Sequence, residues 1–210
     1  MSEGPQASQK PKMGVLTWAL WGAALVGVAA VVYIIGQASS NPDRPKVAHV
    51  PVAAVSAFAS KVTTPAQPLP PPDMAFTDST GKSVKVADFK GKVVVMNIWA
   101  TWCGPCKVEM PTLARLQADY AGKGVEVMPV SIDEGAKAQQ AALFIAQNAP
   151  LKFYLDGAMK LPFKLNPPAV GTPTTVIYGK NGLEVARVTG DADWTSPEAK
   201  ALIDKALAAS

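Results

Sequence analysis

Residues 102–106 read Trp-Cys-Gly-Pro-Cys and contain the only two cysteines of the 210-residue chain. The stretch before them, residues 93–99, is apolar except for one asparagine, rich in β-branched residues and as long as a strand. In the stretch after them, residues 107–120, apolar side chains recur at the spacing of one helical face. The sequence therefore predicts that Cys103 lies where a buried strand leads into the first turn of a helix.

This position predicts different chemistry for the two cysteines. Unpaired N–H groups and the positive end of the helix dipole favour a thiolate at Cys103, which we expect to be exposed and to attack a partner disulfide. Cys106, one turn into the helix, is expected to be more buried and to resolve the mixed disulfide. Pro105 suits a first helical turn, where a missing N–H costs least. Gly104 lets a partner backbone come close, and Trp102 is predicted to pack beside the pair and limit water.

Two other interpretations of the cysteine pair fit less well. The first is that the two cysteines form half of a zinc site. Zinc usually takes four ligands, however, and the only histidine is His49 in a proline-rich stretch far upstream. A purely structural disulfide is the other, but a gap of two residues closes a loop too short to contribute much stability. The sequence therefore predicts no metal site and no cofactor.

Two motifs carry a resemblance to a known family. Residues 102–106 match the redox motif of thioredoxins, and the longer string 97–111 resembles the membrane-anchored thioredoxin-like reductases of bacteria, the TlpA and ResA type. Residues 171–176, Gly-Thr-Pro-Thr-Thr-Val, are a second match. The resemblance implies that a cis bond precedes Pro173 and that Thr172 and Pro173 form the wall of a groove for a partner's extended chain. The ordinary alternative for Pro173 is a proline at the start of a strand.

The fold expected from the patterns is an α/β sandwich around a mixed sheet flanked by helices, in agreement with a thioredoxin fold. The resemblance also implies an inserted helix-and-strand unit between residues 133 and 173. The predicted elements of the domain, residues 73–210, are a hairpin at 74–77 and 83–86, strands at 93–99, 125–132, 152–155, 174–178 and 183–188, and helices at 107–120, 134–148, 158–164 and 196–209.

The N-terminal third of the chain has the composition of an anchor and a spacer. Residues 1–12 form a polar tail, and residues 13–36 are 24 residues without a charge, long enough to cross a bilayer. Lys10 and Lys12 indicate a cytoplasmic N-terminus. A cleaved signal peptide is the alternative, but its apolar core is usually only about 7–15 residues long.

Residues 37–72 contain eight prolines and are predicted to be a semi-rigid linker. Within it, residues 52–62 lack proline and follow the spacing of a short amphipathic helix. Such a helix is too short to be stable alone, so it docks on the domain or the membrane, or frays. In residues 73–210, fifteen basic and fourteen acidic residues nearly cancel, which gives no indication of nucleic-acid binding.

One departure from plain thioredoxins concerns proton transfer. They carry a buried aspartate where this chain has Asn97, and a lysine near it where this chain has Pro129. Glu109, three residues beyond Cys106 on the same helical face, is the candidate substitute, since the related reductases carry an acid at this place. The alternative is a solvated acid in the first turn, and residues 133–134 are the next acidic candidates.

Together these features predict a thiol-disulfide reductase in the bacterial inner membrane, single-pass through residues 13–36, with its C-terminal domain in the periplasm. The resemblance implies clients whose cysteines must be reduced before they bind metal or haem: copper-delivery proteins, the copper subunit of cytochrome oxidase, or apocytochromes c. It also implies a transmembrane thiol carrier as electron donor. The alternative is a copper chaperone with a thioredoxin-like fold, although such proteins use a wider cysteine spacing and a distant histidine.

Overall fold

The computed structural model describes residues 57–209, together with the isolated positions Val31 and Tyr33. The predicted tail (residues 1–12), almost all of the predicted anchor (13–36) and the linker up to residue 56 lie outside the described residues, so these predictions stay predictions. Among the described residues, no helix is long and apolar enough to cross a membrane.

A single mixed sheet forms the centre of the domain. Its strands are β1 Val62–Thr63, β2 Phe76–Asp78, β3 Ser83–Val84, β4 Val93–Trp99, β5 Val125–Ser131, β6 Tyr154–Leu155, β7 Thr174–Tyr178 and β8 Glu184–Thr189. Their order is β1-β8-β7-β4-β5-β6-β2-β3. Strand β4 runs parallel to β5 and antiparallel to β7, which confirms the predicted mixed sheet.

The helices connect these strands. They are α1 Gly104–Asp119, α2 Ala136–Ala146, α3 Leu161–Lys164 and α4 Pro197–Ala208, with two 3₁₀ helices at Ala59–Lys61 and Val86–Phe89. Helix α1 packs on β5, and α4 contacts β4 and β7. The predicted inserted unit is present as α2 and β6, and β6 extends the sheet parallel to β5. The α/β fold predicted from the sequence is therefore confirmed.

Strand β4 is apolar because it is covered on both faces. All seven of its residues are buried, as are all residues of its neighbours β5 and β7. A strand with two buried faces shows a continuous apolar run instead of an alternating pattern. The single polar side chain of β4, Asn97, is therefore placed inside the core and must find hydrogen-bond partners there.

Residues 57–72 of the predicted linker are described, and part of this stretch docks on the domain, which is one of the outcomes expected for the short segment at 52–62. In the described part of that segment, Ala59–Lys61 form one 3₁₀ turn and Val62–Thr63 then pair antiparallel with β8. Further along, the Leu69 carbonyl accepts a hydrogen bond from the Glu184 N–H at 2.8 Å. The physical reason is that β8 has an open edge with unpaired backbone groups, and the extended linker satisfies them. The packed domain thus includes residues well before position 73.

Candidate active site

Cys103 and Cys106 form a disulfide at the N-terminus of α1. Cys103 is the N-cap residue, and its Sγ accepts a hydrogen bond from the backbone N–H of Cys106 at 3.2 Å. Cys103 is 5% exposed and Cys106 fully buried, so the predicted order of exposure is correct. The prediction of an openly exposed Cys103 is wrong for this oxidised state. Only a small part of its surface is open to an attacking thiol.

The residues around the disulfide leave open space for a partner. A side-chain carbon added at Gly104 would meet no atom within 4 Å, so this glycine is not required by packing within the chain. Trp102 is 53% exposed, which corrects the prediction that it packs beside the pair and limits water. Its ring is instead available for contact with another molecule. Pro105 lies in the first turn of α1, as predicted.

The pairing of β7 with β4 brings the motif at residues 171–176 to the end of the sheet where Cys103 lies. The peptide bond between Thr172 and Pro173 is cis, as the resemblance predicted. Thr174, the next residue, pairs with Ile98 near the C-terminal end of β4, from which the chain leads to Cys103. Pro173 is buried and Thr172 half-buried. The two motifs singled out in the sequence therefore lie side by side at one edge of the domain.

A buried ion pair supports the loop that leads to Thr172. Arg187 of β8 forms two hydrogen bonds with the Glu184 carboxylate, from Nε at 3.0 Å and from Nη2 at 2.9 Å. The same guanidinium donates to the backbone carbonyl oxygens of Pro167 at 2.6 Å and Asn166 at 3.4 Å. Since the fork of the guanidinium is rigid, it fixes this loop against the sheet.

Asp133 holds the loop between β4 and Cys103. One carboxylate oxygen accepts from the Thr101 backbone N–H at 2.8 Å and from the Ser131 hydroxyl at 2.9 Å. The other accepts from the Thr101 hydroxyl at 2.7 Å. Asp133 is fully buried, and both of its oxygens are used. Its role is therefore to position the turn before Cys103, and it is a poor candidate for the proton acceptor.

Glu109 lies in the core beneath the disulfide. It is 2% exposed, which corrects the alternative of a solvated acid in the first turn. One of its oxygens accepts from Asn97 Nδ2 at 2.8 Å. The other accepts from the Ala192 backbone N–H at 3.0 Å and from Trp194 Nε1 at 3.3 Å. Because Glu109 follows Cys106 by three residues on α1, their Cβ atoms are about 5–6 Å apart.

Burial raises the pKa of Glu109 to about 7. The loss of hydration is the largest cause, because it disfavours the charged form. The three N–H donors act in the opposite direction, and the negative charge of Asp191 adds to the rise. A carboxyl group with this pKa can both accept and release a proton near neutral pH, which is what a general base for Cys106 requires.

Sequence reasoning missed two partners of Glu109, namely Ala192 and Trp194. They lie in the loop between β8 and α4, more than 80 positions from Glu109. Trp194 is fully buried, and its indole N–H needs an acceptor inside the protein. A tryptophan just before a helix N-cap was the available signal, but nothing in the sequence says which acceptor it meets.

No group of three or more histidine, cysteine or acidic side chains that could hold a metal is present in the part of the chain that the structure describes. The Sγ atoms that would be the strongest ligands are joined to each other.

Comparison with known proteins agrees with this geometry. Residues 64–203 match the Redoxin family. The chain belongs to the Redoxin family. Within the family it is a thioredoxin-like protein of the ResA and TlpA type, and it is a thiol-disulfide oxidoreductase.

The relatives that support this include two from Bacillus. The thiol-disulfide oxidoreductase ResA of Bacillus cereus is 34% identical over 123 residues, which cover 57% of this chain and 68% of the relative. ResA of Bacillus subtilis is 32% identical, with 57% of this chain and 65% of the relative covered. A Chlorobium tepidum crystal structure described as a thiol:disulfide interchange protein DsbE is 32% identical, with a TM-score of 0.60 over 67% of this chain and 97% of that chain.

Replacing the buried carboxyl of this Redoxin-family chain should change how stability depends on pH. A carboxyl whose pKa is raised from 4.5 to about 7 binds its proton more tightly in the folded state than in the unfolded state. It therefore lowers the free energy of unfolding as the pH rises from about 4.5 to 7, by about 3 kcal/mol in total. In Glu109→Gln this loss should disappear, so that the variant gains stability relative to the wild type over this pH range, as measured by urea unfolding.

In the reduced protein, Glu109→Gln should also make the cysteine thiols titrate at lower pH. The substitution removes a nearby negative charge that disfavours the thiolate. Glu126→Gln is the matched control: Glu126 is also buried, but it is paired with Lys92 and Lys152. An unchanged thiol titration in Glu109→Gln, identical to the control, would contradict the proximity argument.

Asp133→Asn should loosen the turn before Cys103. The substitution replaces one accepting oxygen with an NH₂ group, so at least one of the donors on Thr101 and Ser131 loses its acceptor, at a cost of about 1–3 kcal/mol. Hydrogen exchange of the Thr101 and Cys103 amides should become faster. The neighbouring exposed Glu134 provides the control as Glu134→Gln, and equal exchange rates in the two variants would show that Asp133 does not hold the turn.

Proposed function

We propose that this oxidoreductase works in the reducing direction, with Cys103 as nucleophile, Cys106 as resolving thiol and Glu109 as proton acceptor. The observation that carries the proposal is the buried Glu109, whose pKa of about 7 suits proton exchange with Cys106. The Gly104-Pro105 dipeptide between the cysteines supports the reducing direction, since it resembles the reducing members of the superfamily.

The reaction follows from the positions of the two sulfurs. In the reduced protein the Cys103 thiolate attacks one sulfur of a client disulfide, and the other client sulfur leaves as a thiolate. Cys106 then transfers its proton to Glu109 and attacks the Cys103 sulfur. The Cys103–Cys106 disulfide forms, the second client thiolate is released, and two electrons have passed to the client. A dithiol electron donor must reduce the disulfide again before the next cycle.

A groove beside Cys103 accounts for client binding in this proposal. Thr172 and Pro173 form one wall, with Trp102, Gly104 and Pro105 on the other side. The exposed Trp102 ring and the open space over Gly104 support an extended client segment at this place. The buried ion pair of Arg187 holds the start of the loop that leads to this wall, through the carbonyl oxygens of Asn166 and Pro167.

The proposed location is the periplasmic side of the bacterial inner membrane, with residues 13–36 as a single anchor. Its support is the uncharged length of this segment and the preceding Lys10 and Lys12. In that compartment cysteines tend to be oxidised, so a reductant is needed wherever free thiols must bind metal or haem. The proposed clients are copper-delivery proteins, the oxidase copper subunit or apocytochromes c, and the proposed donor is a transmembrane thiol carrier.

The reduction potential of the cysteine pair tests the direction. We expect a value near that of thioredoxin, about −270 mV, and far from that of the oxidant DsbA, about −120 mV. Equilibration of the full chain against glutathione or dithiothreitol buffers, with the two redox forms separated after alkylation, gives this value. A potential above about −180 mV would place the pair with the isomerases and contradict the reducing direction.

Trapping with serine variants tests the division of labour. Cys106→Ser should accumulate mixed disulfides with clients through Cys103, because the resolving thiol is gone. Cys103→Ser should accumulate almost none, since the remaining Cys106 is fully buried. Non-reducing gels of the two variants, expressed at equal levels, measure the difference. Equal trapping by the two variants would contradict the roles assigned to the two cysteines.

Membrane extraction tests the location. The full chain should stay with the membrane after carbonate washing, and protease added to spheroplasts should digest the C-terminal domain while the N-terminus is protected. A chain with residues 13–36 replaced by a cleavable signal peptide should be released as a soluble periplasmic protein. Recovery of the unmodified chain in the cytosol would contradict the proposal.

A further inference from the structure

We propose that Phe58 and Lys61 are positioning residues for Glu109. Both lie in residues 57–63, here called the docking segment, which precede the part of the chain that matches the Redoxin family. The sequence pattern predicted a helix here without a role in the site. The consequence for catalysis rests on the proposed function of Glu109, but the positioning itself does not.

The docking segment is attached to the domain at three points. Val62 and Thr63 pair with β8. Lys61 Nζ donates to the Asp191 backbone carbonyl and also lies 3.4 Å from the Asp191 carboxylate. The Phe58 ring meets the indole of Trp194 edge-on, with ring centroids 5.8 Å apart. Two of the three attachments therefore contact the loop that joins β8 to α4.

That loop supplies two of the three donors to Glu109. The Ala192 N–H and the Trp194 indole N–H both reach the same carboxylate oxygen. Lys61 holds the residue before Ala192, and Phe58 covers the ring of Trp194. Phe58 is thus separated from Glu109 by Trp194 alone, and Lys61 by the peptide group that joins Asp191 to Ala192. A change in the docking segment alters the position of a donor or the access of water to Glu109.

The charged residues near Lys61 and Phe58 determine whether a substitution of either residue raises or lowers the pKa of Glu109. Asp191 raises the pKa of Glu109 through its negative charge, and Lys61 is paired with Asp191. Asp193 and Glu198 line the same cavity of about 290 Å³ as Lys61 and Phe58. Lys61 is therefore the cation that lines this cavity with three acidic side chains, and its removal leaves Asp191 without its paired cation, although Lys200 still acts on Asp193. Phe58 acts by a different cause, since it shields the Trp194–Glu109 contact from water.

The test measures the titration of Glu109 directly in the full chain. The chain has six glutamates, so ¹³C labelling of glutamate carboxyls gives six resonances, and Glu109→Gln identifies the one of interest. Phe58→Ala should lower its titration midpoint by about 0.5 unit or more, because water then reaches the carboxyl. Lys61→Met should raise it by roughly 0.3 unit at low ionic strength, and salt should diminish this rise.

Two matched controls lie at the opposite edge of the sheet. Phe89→Ala removes an edge-on aromatic contact with Tyr154, with centroids 6.4 Å apart. Lys85→Met removes an exposed ion pair with Asp73. Both should leave the Glu109 titration unchanged. Because a general loss of stability cannot produce shifts of opposite sign, opposite shifts in Phe58→Ala and Lys61→Met support positioning. Shifts of the same sign, or none beyond the controls, overturn it.

The pH dependence of client reduction separates this inference from the proposed function. If Glu109 is the proton acceptor, the rate profile moves with the carboxyl titration in both variants. If the carboxyl titration moves but the rate profile does not, the positioning stands and the catalytic role of Glu109 fails. If Glu109→Gln slows client reduction while the carboxyl titration is unmoved in Phe58→Ala and Lys61→Met, the positioning fails and the catalytic role stands.

Discussion

The site depends on a carboxyl group that is buried without a cation. Within residues 57–209 no lysine or arginine pairs with Glu109, and three N–H donors hold its oxygens instead. Hydrogen bonds from neutral donors offset only part of the cost of removing a carboxylate from water. A lysine in their place would favour the charged form and move the pKa well below neutral. The balance of burial against neutral donors is what leaves this group able to exchange a proton near pH 7.

This balance requires three distant parts of the chain to meet. Asn97 comes from the central strand, Glu109 from α1, and Ala192 and Trp194 from the loop before α4. The reactivity of Cys103 has a more local origin, since its Sγ lies at the N-terminus of α1 and accepts the Cys106 N–H. The surroundings of the proposed nucleophile, Cys103, are therefore set by one turn of helix, whereas those of the proposed proton acceptor, Glu109, depend on the whole tertiary structure. A substitution far from the cysteines can change the second without changing the first.

This difference between local and long-range contacts explains which features the sequence predicts and which it does not. The strand before Cys103, the helix after it and the cis bond before Pro173 follow from local patterns and a specific motif, and the structure confirms all three. The burial of Glu109 does not follow, because an acidic side chain near the start of a helix is usually solvated and the loop that covers this one is 83 positions away. Strand β1 was missed for a similar reason: two residues in a proline-rich stretch carry no strand pattern, and only the open edge of β8 makes them pair.

Asn97 shows why an amide suits this core better than a second acid. Its Nδ2 donates to Glu109 and to the Thr175 hydroxyl, while its Oδ1 is buried without a partner among the described residues. This arrangement fits a charged Glu109, which can only accept. When Glu109 is protonated its O–H becomes a donor, and an amide turned by 180° presents Oδ1 to it and to the hydroxyl of Thr175.

One amide can therefore face both protonation states of its neighbour, at the cost of one unpaired polar atom in either orientation: Oδ1 beside the charged carboxylate and Nδ2 beside the protonated one. An aspartate at position 97 would instead place two carboxyl groups within hydrogen-bond distance. Like charges so close cannot both be ionised near neutral pH, and the pKa of one would rise far above 7. With the acid on α1 and the amide on β4, a single buried carboxyl group remains here, on the same helical face as Cys106, and its pKa stays near 7.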